Sequence, residues 1–173
     1  MFEGWGNYFF LLGSAAAGLI GLMFVVVTLT RGGDHQKAER GQRLFMTPTV
    51  FHLASVLTFS ALCLLPRVSP GTHRLLLLAG SLYGLGYALV ITAQLVHAGR
   101  GGAPHWSDAW CYAVAPVVAY GAIAASAFAL GGAREGACTA LALSLLALLL
   151  VAVRNAWDLV TWIAPRRERT PEP

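Results

Sequence analysis

Leu141-Ala142-Leu143-Ser144-Leu145-Leu146-Ala147-Leu148-Leu149-Leu150-Val151-Ala152-Val153-Arg154-Asn155-Ala156-Trp157-Asp158 decides the fold of this chain. The stretch lies within 137–163, which is apolar almost throughout until it meets Arg154, Asn155 and Asp158. An apolar run of about 18 residues or more is long enough to cross a bilayer as a helix. A charge inside such a run is costly and commonly has a partner, a wet cavity or a reachable interface. One stretch thus raises both the architecture and the question of function.

The rest of the sequence repeats the first half of that message. Of 173 residues, 57% are hydrophobic and 12% charged, against about 25% charged in an ordinary soluble domain. So little charge cannot cover a water-facing surface, which makes the bilayer the expected solvent. The longest polar stretch, roughly 31–43, is too short for a core of its own. The net charge of +4 is spread over loops and the C-terminal tail. It suits anionic headgroups, and no dense basic face suggests nucleic acid. Met1-Phe2-Glu3-Gly4-Trp5 lacks a basic region, so the first apolar run is expected to be a retained helix. Cys63, Cys111 and Cys138 show neither CxxC nor zinc-ligand spacing. In apolar runs cysteine behaves as a small hydrophobe. Cys63 and Cys138 fall near one face of the membrane, and a disulfide between them requires close Cα atoms.

Five spans are predicted, at about 7–30, 47–65, 72–97, 107–130 and 136–163. The chain is therefore expected to be all-α, a polytopic helical bundle forming one transmembrane domain over 1–165. Helices are the expected element because open sheet edges cannot be satisfied in lipid. Thr47-Pro48 is a helix start, with proline placed where its missing N–H costs nothing. Pro66, the run Gly99-Arg100-Gly101-Gly102, and Pro165 are stops. Pro116 predicts a kink in the fourth span, and the fifth could break near Arg154. Residues 31–46 read as a cytoplasmic basic loop or an interfacial helix dipping Leu44, Phe45 and Met46 into the headgroups. Residues 166–173 read as a basic, disordered tail.

Basic residues set the direction. With the N-terminus outside, the inner segments hold Arg31, Lys37, Arg40, Arg43, Arg100, Arg166, Arg167 and Arg169. The outer ones hold Arg67, Arg74 and Arg134. That asymmetry predicts N-terminus out and C-terminus in. Trp5, Tyr8, Phe9 and Phe10 then mark the outer boundary, and Trp106, Trp110, Trp157 and Trp162 the inner one.

Small residues at helical spacing predict close helix packing. Gly13, Ala17 and Gly21 form one such row in the first span, with Ser14 and Gly18 beside it. Gly80 and Gly84 repeat the pattern in the third span, and Ala115, Ala119, Ala122 and Ser126 in the fourth. These rows serve either packing within the monomer or a homo-oligomer seam, for which the first span is the best candidate.

Counting depth brings polar residues from four spans to the inner leaflet. His52 lies about 7–8 Å into the second span. Gln94 and His97 close the third, His105 and Asp108 precede the fourth, and Arg154, Asn155 and Asp158 lie low in the fifth. Arg154 and Asp158, at i and i+4, share a helix face. One reading is an arginine snorkelling to the headgroups with a local carboxylate partner. The other is a polar vestibule built from His52, Gln94, His97, Asp108, Arg154, Asn155 and Asp158. A proton or ion path could use histidine with aspartate, although the outer halves show few polar groups to continue it. A b-type haem would need two facing histidines; His52 and His97 are on adjacent spans near the same face of the membrane, at depths that differ by a turn or more. No GxSxG, HExxH or acidic metal cluster points to catalysis or a bound metal.

Trp5-Gly6-Asn7-Tyr8-Phe9-Phe10, followed by the run from Gly13 through Ala17, Gly18 and Gly21 to Val27-Thr28-Leu29, resembles the first span of small bacterial membrane proteins. Those read W-x-x-F-F, then S-A-A-L-x-G-L-x-F-V-x-x-S, and some carry the label modulator of FtsH protease. The resemblance covers about the first 30 residues. It departs where such proteins place serine-asparagine and this chain has Thr28-Leu29-Thr30. It implies a bacterial inner-membrane location and a non-enzymatic regulator of a membrane-anchored protease.

The expected function is a non-enzymatic, oligomeric accessory or regulatory component of the bacterial inner membrane, without cofactor, meeting lipid and other membrane proteins through its helices. The alternative is a small channel or transporter with a cytoplasm-facing vestibule, and a haem-binding carrier ranks below both.

Overall fold

The computed structural model describes residues 2–29, 47–98, 110–132 and 134–163. Every regular element among them is helical. They are α1 (Gly6–Leu29), α2 (Thr47–Leu64), α3 (Pro70–Ala98), a π-helical segment (Trp110–Val114) leading directly into α4 (Ala115–Ala129), and α5 (Arg134–Ile163). Five helices are long and apolar enough to cross a membrane, the π segment and α4 counting together. The 31–46 loop, Asp108 and the 166–173 tail lie outside the described residues.

Local chemistry sets the ends. Thr47-Pro48 opens α2. After α2, Leu65 N–H bonds Leu62 O at 3.2 Å, Pro66 stops the helix, and Arg67 turns the chain with φ 60°. Ser69 caps α3: its Oγ accepts the Thr72 N–H at 3.1 Å, and its carbonyl accepts that of His73 at 3.0 Å. α5 continues unbroken past Arg154 to Ile163. At the N-terminus, Gly4 adopts φ 81° in a turn closed by Trp5 N–H to Phe2 O. The turn folds Phe2 back edge-on to Phe9 and His73.

The helices form a ring in chain order. α1 packs on α2, α2 on α3, α3 on α4 and α4 on α5, and α5 closes the ring on α1 while also crossing to α2. One core runs through the bundle. α5 supplies Leu141, Leu145, Leu148 and Ala152 to it, a stripe at i, i+4, i+7 and i+11. Phe9, Leu12 and Ala16 of α1, Leu53, Val56 and Phe59 of α2, Leu77 of α3, and Tyr120, Ile123 and Ala127 of α4 belong to the same core. The outer surface is apolar too, exposing Phe10, Leu22, Phe24, Leu75, Leu82, Val118, Phe128, Leu143 and Leu150.

Three glycines set interhelical distances. A Cβ at Gly13 would stand 3.1 Å from that of Ser60, one at Gly80 would stand 2.9 Å from the Phe59 ring, and one at Gly84 would run into the Tyr120 ring. Ala17, Ser14, Gly18 and Gly21 are exposed instead, with nothing within 4 Å of a Cβ at Gly18 or Gly21. The small residues of α1 therefore divide, Gly13 serving the monomer and the other four facing outward. At the end of the bundle where α3 begins, Arg74 lies over the Phe128 ring at 5.7 Å and against Gly131, just past the C-terminus of α4, where a cation is favourable.

Replacing Gly84 by valine should destabilise the bundle by about 1–3 kcal/mol through overpacking against Tyr120, whereas Gly18→Val should leave the monomer's stability unchanged. Thermal midpoints of the detergent-purified variants, read by size-exclusion chromatography after heating, check both outcomes.

Candidate functional site

Two hydrogen-bonded clusters occupy the bundle interior, at two depths. The deeper one begins at His52, buried at 2% exposure on α2. His52 Nδ1 lies 3.1 Å from the Tyr120 hydroxyl, that hydroxyl donates to Ser55 Oγ at 2.8 Å, and Ser55 donates to Phe51 O at 2.9 Å. Each hydroxyl has a single hydrogen. Ser55 uses its hydrogen on the carbonyl and Tyr120 uses its own on Ser55, so His52 Nδ1 is the donor. The sequence of donors thus runs His52, Tyr120, Ser55, and it ends on a backbone carbonyl that cannot pass a proton on. Phe51 stacks on Tyr87 with ring centroids 4.0 Å apart, which fixes the neighbouring side of α2 against α3.

The second cluster follows from Pro116. Proline has no N–H. In the i→i−5 register of the π segment, its missing donor is the one that Cys111 O would receive. Asn155, fully buried on α5, supplies a replacement: its Nδ2 donates to Cys111 O at 3.3 Å. The Tyr112 hydroxyl returns the contact by donating to Asn155 O at 3.1 Å. From the other side, Thr92 of α3 lies 3.4 Å from Ala113 O while bonding its own Ala88 O at 2.8 Å. Side chains from α3 and α5 therefore clasp the carbonyls of the irregular segment. The expected kink at Pro116 takes the form of this π segment.

Arg154 and Asp158 make an i, i+4 ion pair of 2.7 Å, each about one-third exposed. Arg154 also reaches Asn155 Oδ1 at 3.5 Å. The pair stands on the partly exposed side of α5, beside the buried amide.

The residues grouped as a vestibule by depth therefore occupy different surroundings. His52 and Asn155 are buried, but their partners Tyr120 and Tyr112 are about 12 Å apart along the fourth span. Gln94 and His97 are exposed on α3, and His97 Nδ1 bonds Ala93 O of its own helix at 2.6 Å. The two histidines considered as haem ligands thus have unlike environments, one in the core and one on an outer face. Asn7 is exposed. His73 is buried within the first turns of α3. Among the described residues, both its ring nitrogens, Arg74 Nε and Ser60 Oγ are buried side-chain atoms without a hydrogen-bond partner. No group of three or more His, Cys, Asp or Glu among the described residues could hold a metal. Tyr112, Tyr120, Ser55 and Thr92 were not singled out in the sequence. The only available signal was hydroxyl-bearing residues inside otherwise apolar spans.

No family model, curated protein or solved structure matches this chain.

If Asn155 serves the carbonyl that Pro116 leaves open, the two residues should be energetically coupled. Asn155→Ala should cost about 1–3 kcal/mol in the parent and clearly less in a Pro116→Ala background, where an N–H is restored. A double-mutant cycle on thermal or denaturant stability measures the coupling, and additive losses would contradict the assignment.

Proposed function

We propose that this chain is a multi-pass protein of the bacterial inner membrane, N-terminus out and C-terminus in, acting as a non-enzymatic, oligomeric accessory or regulatory component. The observation that carries this reading is the use of its interior polar groups: His52, Tyr120, Ser55, Tyr112 and Asn155 bond helix to helix or return to backbone. Such bonds fix a bundle in lipid, where a polar group has no water to turn to. The apolar outer surface suits an acyl-chain solvent. The basic-residue asymmetry supports the orientation, and the resemblance of the first span supports the bacterial address and a membrane-protein partner. The outward row Ser14, Ala17, Gly18 and Gly21 supports self-association, because small residues permit close backbone approach.

One observation favours the channel or transporter reading. The Arg154–Asp158 pair is partly exposed beside buried Asn155, as the wall of a polar vestibule would be.

The two readings separate in proteoliposomes. The accessory reading expects no flux of protons, common ions or small neutral solutes above protein-free vesicles. Flux lost in Arg154→Ala and Asp158→Asn would establish the alternative. For self-association, membrane crosslinking should give oligomers in the parent and at least a roughly tenfold smaller oligomer fraction in Gly18→Val, a change of about 1.4 kcal/mol. Unchanged crosslinking would remove α1 as the seam.

A further inference from the structure

α2 and α5 pack on each other, and α1 marks a common end: a Cβ at Gly6 would stand 3.9 Å from Leu64 of α2 and Tyr8 bonds Ala142 of α5, so the last turn of α2 and the first turns of α5 lie at the same end of the bundle. Each of those two places carries a cysteine. Cys63 lies one residue before the end of α2, and Cys138 lies in the second turn of α5. Both are buried in the same core cluster, and both are free thiols. Cys111, by contrast, belongs to the π segment at the start of the fourth span, toward the opposite end of the bundle.

The ends of the bundle also differ in how they are fastened. The Asn155 clasp joins α5 to the fourth span at one end. Toward the other, Tyr8 OH donates to Ala142 O at 3.1 Å and joins α1 to α5, and Cys63 and Cys138 are both buried in the core.

We infer that Cys63 and Cys138 form a reversible dithiol–disulfide latch that ties α2 to α5 at the outer end of the bundle. The inference rests on the N-terminus-out orientation proposed above, which places this end in the compartment where disulfides persist. The oxidant is a disulfide, carried by a protein or a small molecule. One cysteine thiolate attacks a sulfur of that disulfide, forming a mixed disulfide and releasing one thiolate of the oxidant. The second cysteine thiolate displaces the other, so that the Sγ63–Sγ138 bond forms as the oxidant's S–S bond breaks. Two electrons pass to the oxidant, which leaves as two thiols carrying the two protons. Because both sulfurs are buried, exchange requires local opening of this end, and the latch responds slowly to its surroundings.

The test uses the full-length protein in two arms. In the first, detergent-purified protein is treated with diamide, denatured, alkylated and digested without reductant. The expected product is a crosslinked peptide pair containing Cys63 and Cys138, an intact mass lower by two hydrogens, Cys111 still alkylated, and a thermal midpoint higher by about 5 °C or more. Cys63→Ser should abolish the crosslink. No crosslink, or one through Cys111, overturns the pairing whatever the orientation. In the second arm, cells are acid-quenched and alkylated before lysis, and a Lys37→Cys variant is labelled with a membrane-impermeant maleimide. A fraction of disulfide in cells supports the latch. A wholly reduced pair overturns it as a working device, and labelling of Cys at position 37 from outside shows that the orientation reading has failed as well.

Discussion

The half of this bundle that holds the start of the fourth span is organised around a missing N–H. Pro116 interrupts the fourth span, and a freed carbonyl in lipid has no water to accept from. The chain answers with a change of register to π over Trp110–Val114 and with Asn155 from α5 donating to Cys111 O. An amide suits this task, since it donates without bringing a charge into the core. Tyr112 reaching back to Asn155 O sets the rotation of α5 as well as its height, and Thr92 approaches the next free carbonyl region from α3. Two helices, α3 and α5, are thereby held against one irregular turn. An asparagine deep in an apolar span is accounted for by a covalent feature of another span.

Two turns further into the fourth span, a different constraint prevails. Tyr120 is wholly buried and needs room for its ring, which Gly84 of α3 provides, as Gly80 does for Phe59. The close approach of α3 brings the Tyr120 hydroxyl to His52 and Ser55. Packing and hydrogen bonding are thus linked: the ring that requires the glycine also carries the hydroxyl that joins α4 to α2. The direction of donation decides what this cluster can do. A relay must hand a proton onward, whereas this sequence of donors closes on Phe51 O. Its chemistry is that of a fastener.

The spans were legible because length and apolar composition are enough to read a membrane helix, and prolines and glycines mark its ends. The Arg154–Asp158 pair was legible because i, i+4 neighbours share a face in any helix. Facing was not. In a soluble helix the polar side declares itself, but these helices are apolar on their exposed faces and toward the core alike, so composition gives little rotation. Depth could place Gln94 and His97 near Asn155, but not turn them toward it, and they face outward. The same ambiguity divided the glycine row of α1, with Gly13 inward and Gly18 and Gly21 outward. The count that places His52 five residues into α2 gives its position along that helix, not its level against the neighbouring helices. Counting from helix ends assumes that the helices start level, yet His52, five residues past Thr47, meets Tyr120, ten residues past Trp110. Pro116 announced a disturbance. Its form depended on which neighbour could serve the freed carbonyl, a fact held 39 residues away at Asn155.

These constraints bear on where specificity can reside. The interior partners at both levels are engaged with one another, so changing one of them first alters how the helices sit. A partner or a second copy instead meets the surface, where the sequence has made choices that packing does not demand. Gly18 and Gly21 touch nothing within the monomer at their Cβ positions, although glycine in a helix interior costs about 1 kcal/mol relative to alanine. Leucine or alanine would serve equally well against lipid. Keeping glycine on an outward face, beside Ser14 and Ala17, is consistent with another helix lying there. Arg154 belongs to both sides, since it pairs with Asp158 on the partly exposed face and reaches the Asn155 side-chain oxygen at 3.5 Å. The positions that fasten the bundle and the positions available for recognition are therefore largely separate sets, and function is to be sought on the second.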